Sequence, residues 1–191
     1  MSFKAKTSNN LEVAYQDIHR DIIELCKAGN NKAQYQLYKL YSKAMFNICC
    51  RMTNNYAEAE DLLQESFAEA FLKLDSFRYE SSIGAWIKRI VVNKCINHLK
   101  KRRAQLVFTD TIPENTYEND DNVDSSHLDV KRIHKAMEQL PDGYRVIFSL
   151  YLIEGYDHSE IAQILNISES TSKSQFSRAK QKIKEILNTR S

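Results

Sequence analysis

Glycine and proline are scarce in this chain, four and two respectively among 191 residues. Both are the usual material of tight turns, so a fold built from many hairpins is disfavoured. Runs rich in Ala, Leu, Lys, Glu and Gln stand in their place, which is helical usage, and the expectation is an all-α protein. No apolar run is long enough to cross a bilayer, and the opening MSFKAKTSNN lacks the apolar centre of a secretion signal. A soluble, cytoplasmic protein without membrane insertion is therefore expected. Cys26, Cys49, Cys50 and Cys95 form no C-x-x-C pair and have no His at zinc-ligand spacing. Neither a disulfide framework nor a metal site is expected, no cofactor is implied, and the thiols are assigned to buried helix faces.

Charge is nearly balanced over the whole chain, with 27 basic and 25 acidic residues, but it is grouped. Phosphates respond to local rather than net charge. Ile18, Ile22 and Leu25 predict a short first helix, and the polar break Gly29-Asn30-Asn31 can cap the next. Ala33, Leu37, Leu40, Tyr41, Ala44, Met45, Ile48 and Met52 keep the three-and-four spacing of a long helix on a core, ending at Thr53-Asn54-Asn55. Asn55, followed by Glu58, opens a third helix with Ala59, Leu62, Leu63, Phe67, Ala70, Phe71 and Leu74 inward and an acidic opposite face. A loop from Asp75 to Ser82 leads to a fourth helix, whose Trp86, Ile87, Ile90, Val91, Cys95 and Leu99 are available to the core. From Lys88 to Arg103 this helix carries Lys88, Arg89, Lys94, Lys100, Lys101, Arg102 and Arg103 and no carboxylate. Such a row repels itself unless screened; an anionic partner such as phosphate and a plain solvated helix end account for it equally well.

The helical pattern breaks over residues 104–126, where VFTDTIPENTYENDDNVD holds six carboxylates, one Pro and no Lys or Arg. It has little to bury and reads as a linker, in the plainest form a solvated tether, although a tethered anion can also occupy a basic DNA groove. Two small helical domains follow, residues 1–103 and 128–191, joined by a flexible acidic linker at 104–127.

In the second domain a capped helix bearing Leu128, Ile133, Met137 and Leu140 stops at Pro141-Asp142-Gly143, and another begins at Tyr144 with Val146, Ile147 and Leu150 inward. Gly155 supplies a stop, and Asp157 with Glu160 opens a helix of about two turns. Asn166 can take the left-handed conformation of a tight turn, Ile167 can plug the angle between helices, and Ser168 can cap the helix that follows. That is a helix-turn-helix. In its last helix Ser172, Phe176, Ala179, Ile183 and Leu187 form an inward stripe, which leaves Thr171, Lys173, Ser174, Gln175, Ser177 and Arg178 on the exposed arc. Those residue types suit DNA: Arg and Lys donate to guanine edges or phosphates, Gln pairs with adenine, and Ser and Thr serve bases or backbone. The first turns of a recognition helix are the part that meets base edges.

The segments AEAEDLLQESFAEAF (Ala57 to Phe71), FRYESSIGAWIKRIVVNKCINHLKKRR (Phe77 to Arg103) and LPDGYRVIFSLYLIEGYDHSEIAQILNISESTSKSQFSRAKQKI (Leu140 to Ile183), in this order and joined by an acidic linker, resemble the extracytoplasmic-function sigma factors. These are small sigma-70-type specificity subunits of bacterial RNA polymerase. The resemblance implies two domains: region 2, which docks on core polymerase and reads and melts the −10 promoter element, and region 4, a helix-turn-helix that reads the −35 element. The implied partners are core RNA polymerase, through its β′ clamp helices and β flap, and promoter DNA, with an anti-sigma factor implied by family habit.

Carried over residue by residue, Asp61, Leu62, Gln64, Glu65 and Phe67 match the segment that grips the clamp helices. An acidic face carrying Glu58, Asp61, Glu65 and Glu69 suits a basic partner. Phe77, Arg78, Tyr79 and Ser81 match the loop that captures a −10 base turned out of the stack, with Lys88, Arg89, Asn93 and Lys94 on the adjoining basic helix. Aromatics give stacking surface and amides give edge hydrogen bonds. Phe77 and Trp86 also suit a core, which is the preferred reading for Trp86. For −35 DNA the matching residues are Thr171, Lys173, Ser174, Gln175, Ser177 and Arg178; Lys173 is expected to read a base, and Arg178 suits base or backbone. The chain departs from the usual pattern at Asn97, commonly Asp, and at Gln175, commonly Arg.

Two other functions compete. A helix-turn-helix repressor or activator independent of polymerase docking leaves the acidic helix face and the aromatic loop unused, and no coiled-coil seam for a dimer is present. A nucleic-acid enzyme would need ligands beyond Glu58, Asp61 and Glu65 on their one helix, and His19, His98, His127, His134 and His158 have no patterned partner. The expectation is a transcription factor and not an enzyme.

Overall fold

Asn30 fixes the start of the longest helix: its side-chain oxygen accepts from the backbone N–H of Lys32 at 2.9 Å and of Ala33 at 3.1 Å, satisfying donors that the helix itself leaves unpaired. The computed structural model describes residues 19–102 and 130–189. Contacts divide the chain into two compact units, Met1–Cys95 and Ile96–Ser191. That division falls inside one helix, whereas the sequence expectation places it in the linker; residues 104–127 lie outside the described residues. The described residues contain helices and turns and no strand.

The first unit holds α1 (residues 19–27), α2 (Asn31–Thr53), α3 (Tyr56–Leu72) and the start of α4 (Ile83–Arg102). Asn54, in the left-handed region at φ 55°, ends α2, and Asn55 caps α3 by accepting from Glu58 N–H at 3.2 Å. Leu37, Met52, Ile87 and Val91 are fully buried, each contributing roughly 1.5 to 3 kcal/mol of transfer free energy. Tyr38 meets Phe67 edge to face at 4.8 Å. Gly84 lets α4 approach α2: a Cβ there would stand 2.7 Å from the buried Tyr41 ring.

Two expected stripes are corrected. On α2 the buried row is Ala33, Leu37, Tyr41, Met45, Ile48, Cys49 and Met52, while Leu40 is 51% exposed and Ala44 is exposed. Both flank a row narrower than the apolar pattern suggests. On α1 the buried positions are His19, Ile23 and Cys26, one step out of phase with the expected stripe; Leu25 is exposed, Ile22 is half-buried, and Ile18 lies outside the described residues.

The second unit is built from α5 (Val130–Glu138), α6 (Asp142–Phe148), a π-helical turn (Ser149–Ile153), α7 (His158–Leu165) and α8 (Glu169–Asn188). Helix α6 starts at Asp142 rather than Tyr144, because Pro141 supplies the fixed φ of a helix entry. Val146, Ile147, Leu150, Ile161, Phe176 and Ala179 form its core. At the α5–α6 corner sits a buried ion pair that the sequence reading lacks: Arg145 Nη2 donates to Asp142 Oδ1 at 2.5 Å and Arg145 Nη1 to the Leu140 carbonyl at 2.8 Å.

Candidate functional site

The first unit gathers its candidate groups where the loop after α3 passes α1. Phe77 is buried, with its ring 4.8 Å from Tyr79 and 5.5 Å from Trp86. Of the two readings open for Phe77, core and stacking platform, its burial agrees with the core; Trp86, for which the core is the preferred reading, is half-buried. Tyr79 stands at φ 61°, a conformation that costs a side-chain-bearing residue about 1 to 2 kcal/mol. Three side chains of α1 hold it there. The Tyr79 hydroxyl donates to Glu24 Oε1, the Arg20 guanidinium lies 5.0 Å and the Lys27 ammonium 4.8 Å from the ring centroid, and Lys27 Nζ also donates to the Phe77 carbonyl at 3.4 Å.

Burial first, and the Glu24 carboxylate second, push the Tyr79 phenol up to about 12. The Tyr79 hydroxyl, helped by Lys27 and Arg20, holds Glu24 below the usual carboxylate range. Tyr79 lines, with His19, Ile23, Phe77, Ser82 and Ile83, a cavity of about 10 Å³, room for about one water. Arg20, Glu24 and Lys27 are functional candidates that the sequence reading missed. Their only signal is the spacing of charges along one face of α1.

Arg78 and Ser81 are exposed in the loop, and Ser82 caps α4 by accepting from Ala85 N–H at 3.2 Å. On α4 the exposed residues Arg89, Asn93, Asn97 and Lys100 recur at three-and-four spacing, so cationic and amide groups share one face. Lys88 is half-buried. Lys94 turns away from that face toward α3, meeting Glu69 at 3.0 Å and Glu65 at 3.5 Å. This corrects its expected grouping with Arg89 and Asn93. Hydrogen bonding to Glu69 raises the Lys94 pKa, while Lys73 first and Lys94 second hold Glu69 low.

On α3, Asp61, Gln64 and Glu65 are exposed, but Leu62 and Phe67 are buried in the unit's own core. The expected docking segment therefore presents a polar edge, and its two apolar members shape the helix beneath. Beside Gln64 a groove of about 270 Å³ is lined by Tyr38, Phe46, Tyr56, Glu60 and Leu63.

In the second unit the local rules seen in the sequence set the geometry. Asp157 accepts from Glu160 N–H and Glu160 Oε2 accepts from Asp157 N–H, both at 2.8 Å, closing a capping box at the start of α7. Asn166 turns the chain at φ 58°, and Ser168 caps α8 by accepting from Thr171 N–H at 3.0 Å. On α8, Lys173 and Ser177 are exposed and Ser174 and Arg178 half-buried, with Lys173 paired to Glu169 at 2.6 Å. Thr171 and Gln175, expected on the exposed arc, are only 4% and 3% exposed. Thr171 turns its hydroxyl onto Ser168 at 2.6 Å, and Gln175 lies on the flank of the buried stripe beside Phe176.

His158 is a further missed contributor. Its ring stacks on Tyr151 at 4.4 Å, and Nδ1 is 2.9 Å from the hydroxyl of Ser172, a buried position on α8. Burial and the nearby Lys173 charge lower its pKa.

Among the described residues no three His, Cys, Asp or Glu side chains gather as a metal site requires, and no helix is long and apolar enough to cross a membrane. What the geometry offers is two recognition surfaces: an amide and cationic face beside an aromatic loop, and a helix-turn-helix with a polar second helix.

The Sigma-70 region 2 family model matches residues 37–105, and the Sigma-70, region 4 model matches residues 131–183, together well over half of the chain. The chain is similar to the ECF RNA polymerase sigma factor SigM of Bacillus subtilis (strain 168), 28% identical over 154 residues that cover 80% of this chain and 94% of that one. It is equally similar to SigW of the same organism, 28% identical over 183 residues, covering 86% and 94%. Among solved structures it is similar to the sigma factor RpoE in complex with the anti-sigma factor NepR from Bartonella quintana, with a TM-score of 0.55 and 25% identity over 81% of this chain and 96% of that one. The chain belongs to the sigma-70 family and, with these relatives, to the extracytoplasmic-function class of RNA polymerase sigma factors.

Proposed function

We propose that this sigma factor works in the cytoplasm as the promoter-reading subunit of RNA polymerase, with the polar edge of α3 on core polymerase, the loop of the first unit and α4 on the −10 strand, and α8 on −35 DNA. As a sigma factor it is an initiation factor and not an enzyme. The division of labour assigned to residues 1–103 and 128–191, with 104–127 as tether, belongs to the same reading. So does an anti-sigma partner, by likeness to a relative solved in complex with one.

One observation carries the reading: Arg89 and Asn93 stand exposed on a helix without carboxylates, next to an aromatic loop, in a chain that also carries a helix-turn-helix exposing Lys173. Cations hold phosphates, an amide can bond the edge of an unpaired base, and the recognition helix supplies duplex contacts. A repressor acting without polymerase would have no use for Asp61, Gln64 and Glu65 aligned on one edge.

The test is transcription from a promoter library by the purified chain with core polymerase. We expect a defined set of promoters. Asp61→Arg with Glu65→Arg should lower output from all of them with helicity kept, and Lys173→Ala should cost about 1 to 3 kcal/mol at a single −35 position. A uniform loss for Lys173→Ala would move that side chain to the DNA backbone, and unchanged output from the charge reversal would remove the α3 edge from docking.

A further inference from the structure

Tyr79 forms one wall of the small cavity that its loop shares with α1. About 10 Å³ admits one water and no nucleobase. The ring that would stack on a base already has Arg20 and Lys27 within 5.0 Å of its centroid and Phe77 against it, and its hydroxyl is committed to Glu24. The left-handed backbone of Tyr79 is not a conformation this residue takes without such restraints. Tyr79 is therefore held in place beside a cavity too small for a base, and the parts that hold it come from α1, with Glu24 standing 55 positions from Tyr79.

We propose that the Arg20, Glu24 and Lys27 face of α1 is a latch on base capture: it holds Tyr79 beside the cavity until the phosphates of an unpaired strand draw Arg20 and Lys27 off the ring. The exchange is favourable because a phosphodiester offers each cation a full opposite charge, whereas the ring offers only its quadrupole. Once the cations leave, Tyr79 keeps a single hydrogen bond to an exposed carboxylate and can turn aside, opening the cavity to the base and one ring face for stacking. Backbone binding and base capture thus become one event, and a paired strand, whose bases are not available, gains nothing from opening the latch. The proposal rests on the reading of this loop as the base-capturing element.

It predicts different effects from neighbours on one helix face, on affinity for one group and on salt dependence for the other. Full-length chain assembled with core polymerase is titrated, at several salt concentrations, with an unpaired −10 strand carrying 2-aminopurine. Tyr79→Phe removes the hydroxyl–carboxylate bond, and Glu24→Gln, whose amide oxygen still accepts from the hydroxyl, reduces it to an uncharged one; both keep shape and should tighten binding, by about threefold to tenfold for Tyr79→Phe and by less for Glu24→Gln. Arg20→Ala and Lys27→Ala each remove a restraint on Tyr79 together with a phosphate contact, so they are read by the salt slope, which should fall by about one each. Using two conservative variants on the Glu24 to Tyr79 bond guards against a folding defect in either. If Glu24→Gln and Tyr79→Phe bind no tighter than wild type, or if the salt slope stays unchanged in Arg20→Ala and Lys27→Ala, the latch is wrong even though wild type binds and Asn93→Ala weakens it. If wild-type holoenzyme gives no 2-aminopurine response and Asn93→Ala changes nothing, the base-capture reading falls and the latch with it.

Discussion

The two units restrain their recognition groups by different means. In the first, ties run between elements far apart in sequence: Glu24 of α1 to Tyr79, Lys27 to the Phe77 carbonyl, Lys94 of α4 to Glu65 and Glu69 of α3. In the second, the recognition helix is set mostly by its neighbours in sequence: the Asp157–Glu160 box, Asn166 at the turn, the Ser168 cap, and Lys173 paired to Glu169 of its own helix. The difference matches the two tasks proposed. A helix that reads duplex DNA needs a fixed shape, which caps provide. A site that accepts a base only after the strand opens benefits from contacts that can be exchanged.

The largest effect is expected at the buried Asp142–Arg145 pair of the second unit. Asp142→Ala leaves the Arg145 guanidinium buried beside a lost partner and should cost about 3 to 5 kcal/mol. Amide exchange should accelerate across residues 130–189 and stay unchanged in α2 and α3; equal acceleration in both units would show that they do not fold separately. A smaller effect is expected in the first unit from Gly84→Ala, whose new Cβ would stand 2.7 Å from Tyr41 and cost about 1 to 3 kcal/mol by overpacking. Protection in α2 and α4 reads it directly, and a neutral variant would mean that these helices separate easily.

The smallest effect concerns acid. Burial holds both His19 and His158 below the ordinary value of 6.5. The unfolded chain therefore takes up these protons first, and each unit loses some stability as the pH falls below about 6.5. His158→Gln should flatten that loss in the second unit and leave it in the first. An unchanged pH profile of the second unit would show that the His158–Ser172 contact does not govern it.

The same contrast explains what could be read from the sequence. The caps of α2, α3, α7 and α8 and the left-handed turn at Asn166 depend on residues within about three positions of one another, the range over which local hydrogen bonding decides structure. The Tyr79 latch has no such local signature, since Glu24 is an ordinary surface residue until the fold brings it to the loop. Leu40, Thr171 and Gln175 failed for a related reason. Each lies at the edge of an apolar stripe, where periodicity gives the direction of the stripe but not its width. Leu62 and Phe67 were assigned by family likeness, which picks out a segment; which of its side chains face outward is decided by packing.

The claim that the first unit opens promoters, beyond helping to bind them, is tested most directly at Asn93, an exposed amide whose loss should leave the core intact. With core polymerase saturated, permanganate reactivity of the −10 region is followed on a duplex promoter and on the same promoter with a pre-melted bubble. The account predicts that Asn93→Ala lowers melting and transcription on the duplex, and that the bubble partly restores transcription, because strand opening has been supplied in advance. Duplex opening at the wild-type rate would contradict it.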